Sequence, residues 1–198
     1  MNDHLFLNMR IKDEHKQEAI IQAAVKLVNE IGFVSSSVSK IAKEANVSPA
    51  TLYIYYKNKE DLLVSTYIEI KKKMSKALLQ NFDESKPFRD ILFNVWKNGF
   101  DFVKKNKSLY QYSEQFSNSP FSDLVDHKEL EKHFEPFIKV LQNGIEQKVI
   151  KDVPFDILVT FIFYPILIMS NSKMCKSIDL NEHIIETSFT LAWDAIKL

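Results

Sequence analysis

Cysteine is almost missing from this chain: the lone Cys175 has no intramolecular partner, and no Cys or His group has the spacing of a structural zinc site. Neither a disulfide framework nor a zinc module is expected, and a reducing cytoplasm is the predicted location. Glycine and proline are scarce too, three and six in 198 residues. That is too few to turn the many strands of an all-β fold, whereas helices joined by short loops need little such punctuation. An excess of charge of one sign is also absent, with 26 basic and 26 acidic residues. The balance conceals a tilt: residues 1–76 hold 12 Lys and Arg against 9 Asp and Glu, a net of +3, and residues 77–198 hold 14 against 17, a net of −3. A basic N-terminal part is weakly favoured as the place for a nucleic acid.

Long apolar runs are missing as well. The longest, residues 157–169, is about 13 residues and contains Pro165, short of the roughly 20 needed to cross hydrocarbon. A buried helix is predicted there, and no membrane partner. The opening residues lack a basic stretch followed by an apolar core, so no secretory leader is expected. No glycine-rich phosphate loop or nucleophile elbow occurs, and no His and acid accompany Cys175 in sequence. Catalysis and a bound cofactor are therefore not expected. His127, Glu131 and His133 are metal-capable, but Lys128 and Lys132 alternate with them and no further ligand is evident. A solvated helical surface fits them better than a metal site.

What is present is helical period. With 45% hydrophobic residues the chain can build a sizeable core. From Glu14, apolar residues at Ile20, Ala23, Ala24, Leu27, Val28 and Ile31 trace one face, and Gly32 stands where a C-terminal cap belongs. A serine of the run 35–37 can cap a short second helix marked by Val38, Ile41, Ala42 and Ala45. Asn46-Val47-Ser48-Pro49 reads as a turn in which Ser48 caps and Pro49 takes the first helical position of a third helix, about residues 49–55. Asn58 can cap a long fourth helix whose apolar residues run from Leu63 to Leu78. Further helices are predicted near residues 91–105, 109–116, 134–145, 154–172 and 180–197.

Two short helices across a tight turn, backed by a longer one, make a helix-turn-helix. Residues 32–63, GFVSSSVSKIAKEANVSPATLYIYYKNKEDLL, strongly resemble the N-terminal signature of the TetR family of bacterial transcriptional regulators. The matching features are a Gly-aromatic pair, a Ser cap, Ile-Ala, Ala-x-Val-Ser, Leu-Tyr and Lys-Glu-x-Leu. Asn46 replaces the usual turn glycine, Ala50 stands where a glycine often lies, and Tyr55 takes a frequent histidine position.

The resemblance implies an all-α fold of about nine helices. Residues 1–58 would form a three-helix DNA-binding domain, and residues 59–198 a larger helical domain for ligand binding and dimerisation. It implies a ligand-responsive regulator, a repressor by family habit, that binds a palindromic operator as a homodimer and is released by a small hydrophobic effector. It places Ser37, Ser39, Tyr53, Tyr55 and Lys59 near phosphates, where hydroxyls and amines position the duplex. Ser48, Pro49, Ala50 and Thr51 fall at base edges, with the Thr51 methyl or hydroxyl suited to thymine. Tyr56 reads as core. Lys40, Lys43 and Lys57 fit either phosphates or a solvated face.

The same resemblance pairs the last two helices with their symmetry mates in a four-helix bundle, and their apolar residues serve that pairing or the monomer core. It also places a ligand pocket among the middle helices, with Phe93, Trp96, Phe100, Tyr112, Gln115, Phe116, Phe137 and Phe163 as candidate lining. Aromatics at helical spacing are equally core residues. Gln115, Asn98 and Tyr112 are the polar anchors such a pocket would use. The competing reading is a helical ligand-binding or interaction protein of the same fold that no longer binds DNA. Ser37, Tyr53 and Lys59 at the family's offsets argue against it.

Overall fold

The computed structural model describes residues 3–171, 174–175 and 179–198, with side chains from residue 14 onward. Its α-helices are α1 (Asp3–Ser35), α2 (Val38–Glu44), α3 (Pro49–Tyr55), α4 (Lys59–Leu78), α5 (Phe88–Lys105), α6 (Lys107–Ser117), α7 (His127–Glu131), α8 (Glu135–Glu146), α9 (Phe155–Ser170) and α10 (Glu182–Ile196). Short 3-10 turns lie at Pro120–Leu124 and Lys132–Phe134, the second joining α7 directly to α8. Counting that junction as one run, the described residues form nine α-helical runs, an all-α fold. Among the described residues the only extended pairing is one antiparallel bridge, Ile150 with Lys197. It ties the segment after α8 to the end of α10. No described helix is long and apolar enough to cross a membrane.

The chain divides into two compact units. Unit 1 comprises residues up to Ile70 together with Ser108–Asp126, and unit 2 comprises Lys71–Lys107 with His127–Leu198. Unit 1 therefore continues past residue 58 and takes in most of α6.

Helix α1 begins eleven residues before the Glu14 expected from apolar spacing. No glycine or proline occurs before Gly32, so nothing in the backbone stops the helix there. At Gly32 the helix breaks, with φ 76°, and the Ser36 hydroxyl donates to its carbonyl at 2.7 Å. The core of this region gathers Ile20, Ala23 and Ala24 of α1, Ile41 and Ala42 of α2, Leu52 of α3, then Tyr56 and Leu62. Tyr56 is core, as its place in sequence suggested. Burial holds its phenol neutral, pushing the pKa up to about 12. Helix α6 seals the other side of α1. Phe33 packs edge-on to Tyr112 at 5.7 Å, and Tyr67 stacks on Phe116 at 4.4 Å.

Unit 2 is organised by α5, which buries Ile91, Leu92, Val95, Trp96, Phe100 and Val103. Side chains press against the backbone at two glycines: a Cβ on Gly99 would lie 2.9 Å from the Ile166 side chain of α9, and one on Gly144 would collide with the Phe88 ring. The helix predicted as buried over residues 157–169 is buried on one face only. Leu158, Ile162 and Ile166 are covered, whereas Ile157, Phe161, Tyr164 and Ile168 are exposed. A run apolar all round satisfies either arrangement, so composition alone does not separate them. The α9 helix ends at Ser170; the expected end at position 172 lies outside the described residues.

Candidate nucleic-acid interface

The reading head is assembled from local signals that each satisfy a free backbone group. Ser37 caps α2 by accepting from the Lys40 amide at 3.3 Å. At the other end of α2, Asn46 adopts φ 55°. The Asn46 amide donates to Lys43 O at 3.1 Å and the Val47 amide to Ala42 O at 2.9 Å. This pair of bonds is a Schellman cap, with Asn in the left-handed position usually taken by glycine. Val47 then packs back on the core.

Ser48 caps α3, its Oγ accepting from the Thr51 amide at 3.0 Å, and Pro49 occupies the first turn where no amide is needed. Asn58 caps α4 by accepting from the Asp61 amide at 2.7 Å, and the Asp61 carboxylate accepts from the Lys57 amide at 2.8 Å. Lys26 of α1 pairs with Glu44 at the end of α2 at 2.6 Å. The pair fixes α2 beside its supporting helix, and Glu44 raises the Lys26 pKa through hydrogen bond and charge.

Caps, turn and core leave α3 with one buried side, through Leu52, and one open side. Ser37, Ser39, Ser48, Pro49 and Ala50 are exposed, and Thr51 and Tyr55 are half-buried. Tyr53 is 55% exposed. Most of the expected DNA-contact residues are thus brought onto the accessible side of α2 and α3. Lys59 is placed differently: its ammonium donates to Phe33 O at 2.6 Å and to Val34 O at 3.4 Å, clamping the start of α4 to the chain beyond Gly32. Ile54, outside the expected set, is 80% exposed on α3. The signal that would have found it is rotational: it lies on the same face as Ala50 and Tyr53, away from Leu52.

The expected pocket residues fall into separate groups. In unit 1, Tyr112 donates to Leu63 O at 2.9 Å, and burial pushes its phenol pKa far above the usual range. Gln115 donates to Asn29 Oδ1 at 3.0 Å, and Asn29 donates to Ser108 O at 2.9 Å. These two polar groups hold α6 to its neighbours, and Phe116 is part of the same packing. In unit 2, Trp96 lies 5.7 Å from Phe100 and 5.8 Å from Phe189, which also meets Phe93 at 4.8 Å. The Trp96 indole N–H is fully buried there without a hydrogen-bond partner. Phe137 and Phe163 form an edge-on pair at 5.6 Å. Asn98 donates to Leu78 O and Gln80 O, closing the end of α4. A surface concavity of about 450 Å³ is lined by Phe82, Lys86, Asp90, Ile91 and Phe93 among others.

Three helices around one core, with a second short helix capped, turned and left open on its outer side, define a helix-turn-helix DNA-binding head. The chain matches two family models, "Bacterial regulatory proteins, tetR family" over residues 20–66 and "Tetracyclin repressor-like, C-terminal domain" over residues 87–197. A crystal structure of a TetR family transcription regulator from Marinobacter aquaeolei superposes with a TM-score of 0.88 at 34% identity, covering 95% of this chain and 98% of that one. An uncharacterized HTH-type transcriptional regulator of Haemophilus influenzae is 28% identical over 182 residues, covering 91% of this chain and 95% of its own. The transcriptional regulator FadR of Bacillus subtilis, solved in complex with stearoyl-CoA, superposes with a TM-score of 0.72 at 26% identity, covering 90% of this chain and 98% of its own. The chain belongs to the TetR family of bacterial transcriptional regulators. It is a helix-turn-helix regulator and not an enzyme.

Proposed function

We propose that the protein is a cytoplasmic, ligand-responsive repressor that binds a palindromic operator as a homodimer and leaves it when a small hydrophobic effector binds. The observation that carries the dimer is the outer face of α9. Ile157, Phe161, Tyr164 and Ile168 repeat at helical spacing, and Phe161 and Tyr164 are 52% and 56% exposed. Four large apolar side chains in water on one face mark a protein interface. Residues on a single face that meet their own copies give a closed two-fold pair. Leu191 of α10, also exposed, extends the surface, so α9 and α10 supply the interface.

A two-fold pair presents two reading heads to successive major grooves about 34 Å apart. In each head Ser37, Ser39, Tyr53 and Tyr55 take phosphates, Lys59 braces the head through the Phe33 carbonyl, and Ser48, Pro49, Ala50 and Thr51 face base edges. Each neutralised phosphate releases counterions, so affinity falls as salt rises.

The effector belongs to unit 2, where Phe93, Trp96, Phe100, Phe137 and Phe163 supply apolar surface and the Trp96 N–H lacks an acceptor. A buried donor without a partner destabilises by about 1–3 kcal/mol, which an acceptor on the effector would recover. The stearoyl-CoA bound by FadR of Bacillus subtilis makes a long-chain acyl thioester the first effector class to test.

Mobility-shift titrations on DNA flanking the protein's own gene test the proposal, with stearoyl-CoA and shorter acyl-CoAs added and binding of each followed separately. The expected result is salt-dependent, sequence-specific binding that weakens about 5- to 150-fold when effector binds. Acyl-CoA binding that never shifts operator affinity would reject the effector mechanism. Failure to bind any DNA, with ligand binding intact, would reject the regulator.

A further inference from the structure

We infer that α3 reads its operator through the methyl groups of thymine rather than through hydrogen bonds to guanine or adenine, and that Ile54 is a specificity-determining residue. The inference deepens the operator-binding reading above and rests on it. The residues of α3 are Pro-Ala-Thr-Leu-Tyr-Ile-Tyr. In the major groove, guanine is read by Arg or Lys, adenine by Asn or Gln, and cytosine by Asp or Glu. None of these six residue types occurs on α3.

The hydroxyls at its start are partly spent on each other. Ser48 Oγ accepts from the Thr51 amide at 3.0 Å and lies 2.9 Å from Thr51 Oγ1, which leaves one hydroxyl proton of the pair for the groove.

What α3 offers instead is apolar surface. Successive residues on a helix turn by about 100°, so Pro49, Tyr53, Ala50 and Ile54 follow one another around an arc of about 140°. All four are exposed, and Leu52 on the far side is fully buried. A helix that only faced water would be polar over that arc. Here it carries a proline ring, a methyl, a tyrosine ring and an isoleucine at 80% exposure. Thymine is the base whose major-groove edge ends in a methyl group, and apolar contact is the way a side chain recognises it. The Tyr53 hydroxyl remains available for a phosphate at the edge of the same arc.

The test begins with selection of sites by the full-length protein from a random-sequence duplex library. Affinity is then measured for the selected duplex and for versions with single thymines replaced by uracil, or with single T·A pairs replaced by C·G and by 5-methylcytosine·G. Losing one buried methyl corresponds to about a fourfold loss of affinity. The expected result is two or more thymines per half-site at which uracil costs about fourfold, with 5-methylcytosine binding more tightly than cytosine at the same positions. Ile54→Ala, which removes no buried contact within the protein, should keep the helical circular dichroism and bring the thymine-to-uracil ratio close to one at the positions Ile54 covers. Enrichment of a site that is indifferent to uracil throughout, or a thymine-to-uracil ratio unchanged in Ile54→Ala, would overturn the inference and leave the operator reading standing. No enrichment at all would overturn both.

Discussion

Two helices of this protein, α3 and α9, leave apolar side chains in water, and they do so on different scales. The open arc of α3 belongs to a helix of seven residues and consists of Pro49, Ala50, Tyr53 and Ile54. The open face of α9 belongs to a helix of sixteen and carries four large side chains from Ile157 to Ile168. The first is the width of a groove wall and sits among serines. The second is long enough to seat another helix. The support beneath each differs as well: α3 is held by caps and a turn within a few residues of itself, whereas α9 is held by distant segments, through Gly99 and the core of α5. An exposed apolar patch thus takes its meaning from its size and from what holds it in place.

Breaking the distant support should have the largest effect. Trp96→Ala empties a fully buried site in the α5 core and should lower the unfolding free energy by about 3–5 kcal/mol, measured by chemical denaturation. Breaking the α9 face itself should spare the fold. Phe161→Glu places a charge on each side of the proposed two-fold contact and should weaken the dimer at least about 100-fold, roughly 2.7 kcal/mol, in sedimentation equilibrium. The helical circular dichroism should not change.

Breaking the local support of α3 costs less. Ser48→Ala removes the α3 cap and should destabilise the protein by about 1 kcal/mol, with operator affinity lowered at temperatures where α3 frays. Asn46→Gly should have the smallest effect, within about 0.5 kcal/mol in thermal unfolding, because φ 55° suits glycine as well as asparagine. Asn46→Val should destabilise clearly more, since a β-branched side chain resists that conformation.

The same contrast explains what could be read from the chain alone. The caps at Ser37, Ser48 and Asn58, the left-handed Asn46, the first-turn Pro49 and the buried Tyr56 all follow from neighbours in sequence, and each occupies the conformation its residue type favours. Distant packing was legible only in part. The periodicity of α6 showed a helix, but not that Tyr112 and Gln115 would spend their polar groups on Leu63 and Asn29. Lys59 reads in sequence as a phosphate ligand, and in the fold its ammonium clamps the carbonyl of Phe33. The run from residue 157 to 169 announced apolar surface without saying which half would be covered from within the chain. The start of α1 was not legible because Leu5, Leu7, Met9 and Ile11 alternate as a strand would while also standing at helical spacing, so the pattern does not choose.

The most direct test of the central claim is the composition of the DNA complex by sedimentation velocity, on a selected palindromic duplex over a range of salt. Two protomers on one duplex, with half-sites separated by one helical turn or a multiple of it and affinity falling steeply with salt, is the predicted result. A single protomer per duplex, or binding indifferent to both salt and half-site spacing, would contradict it.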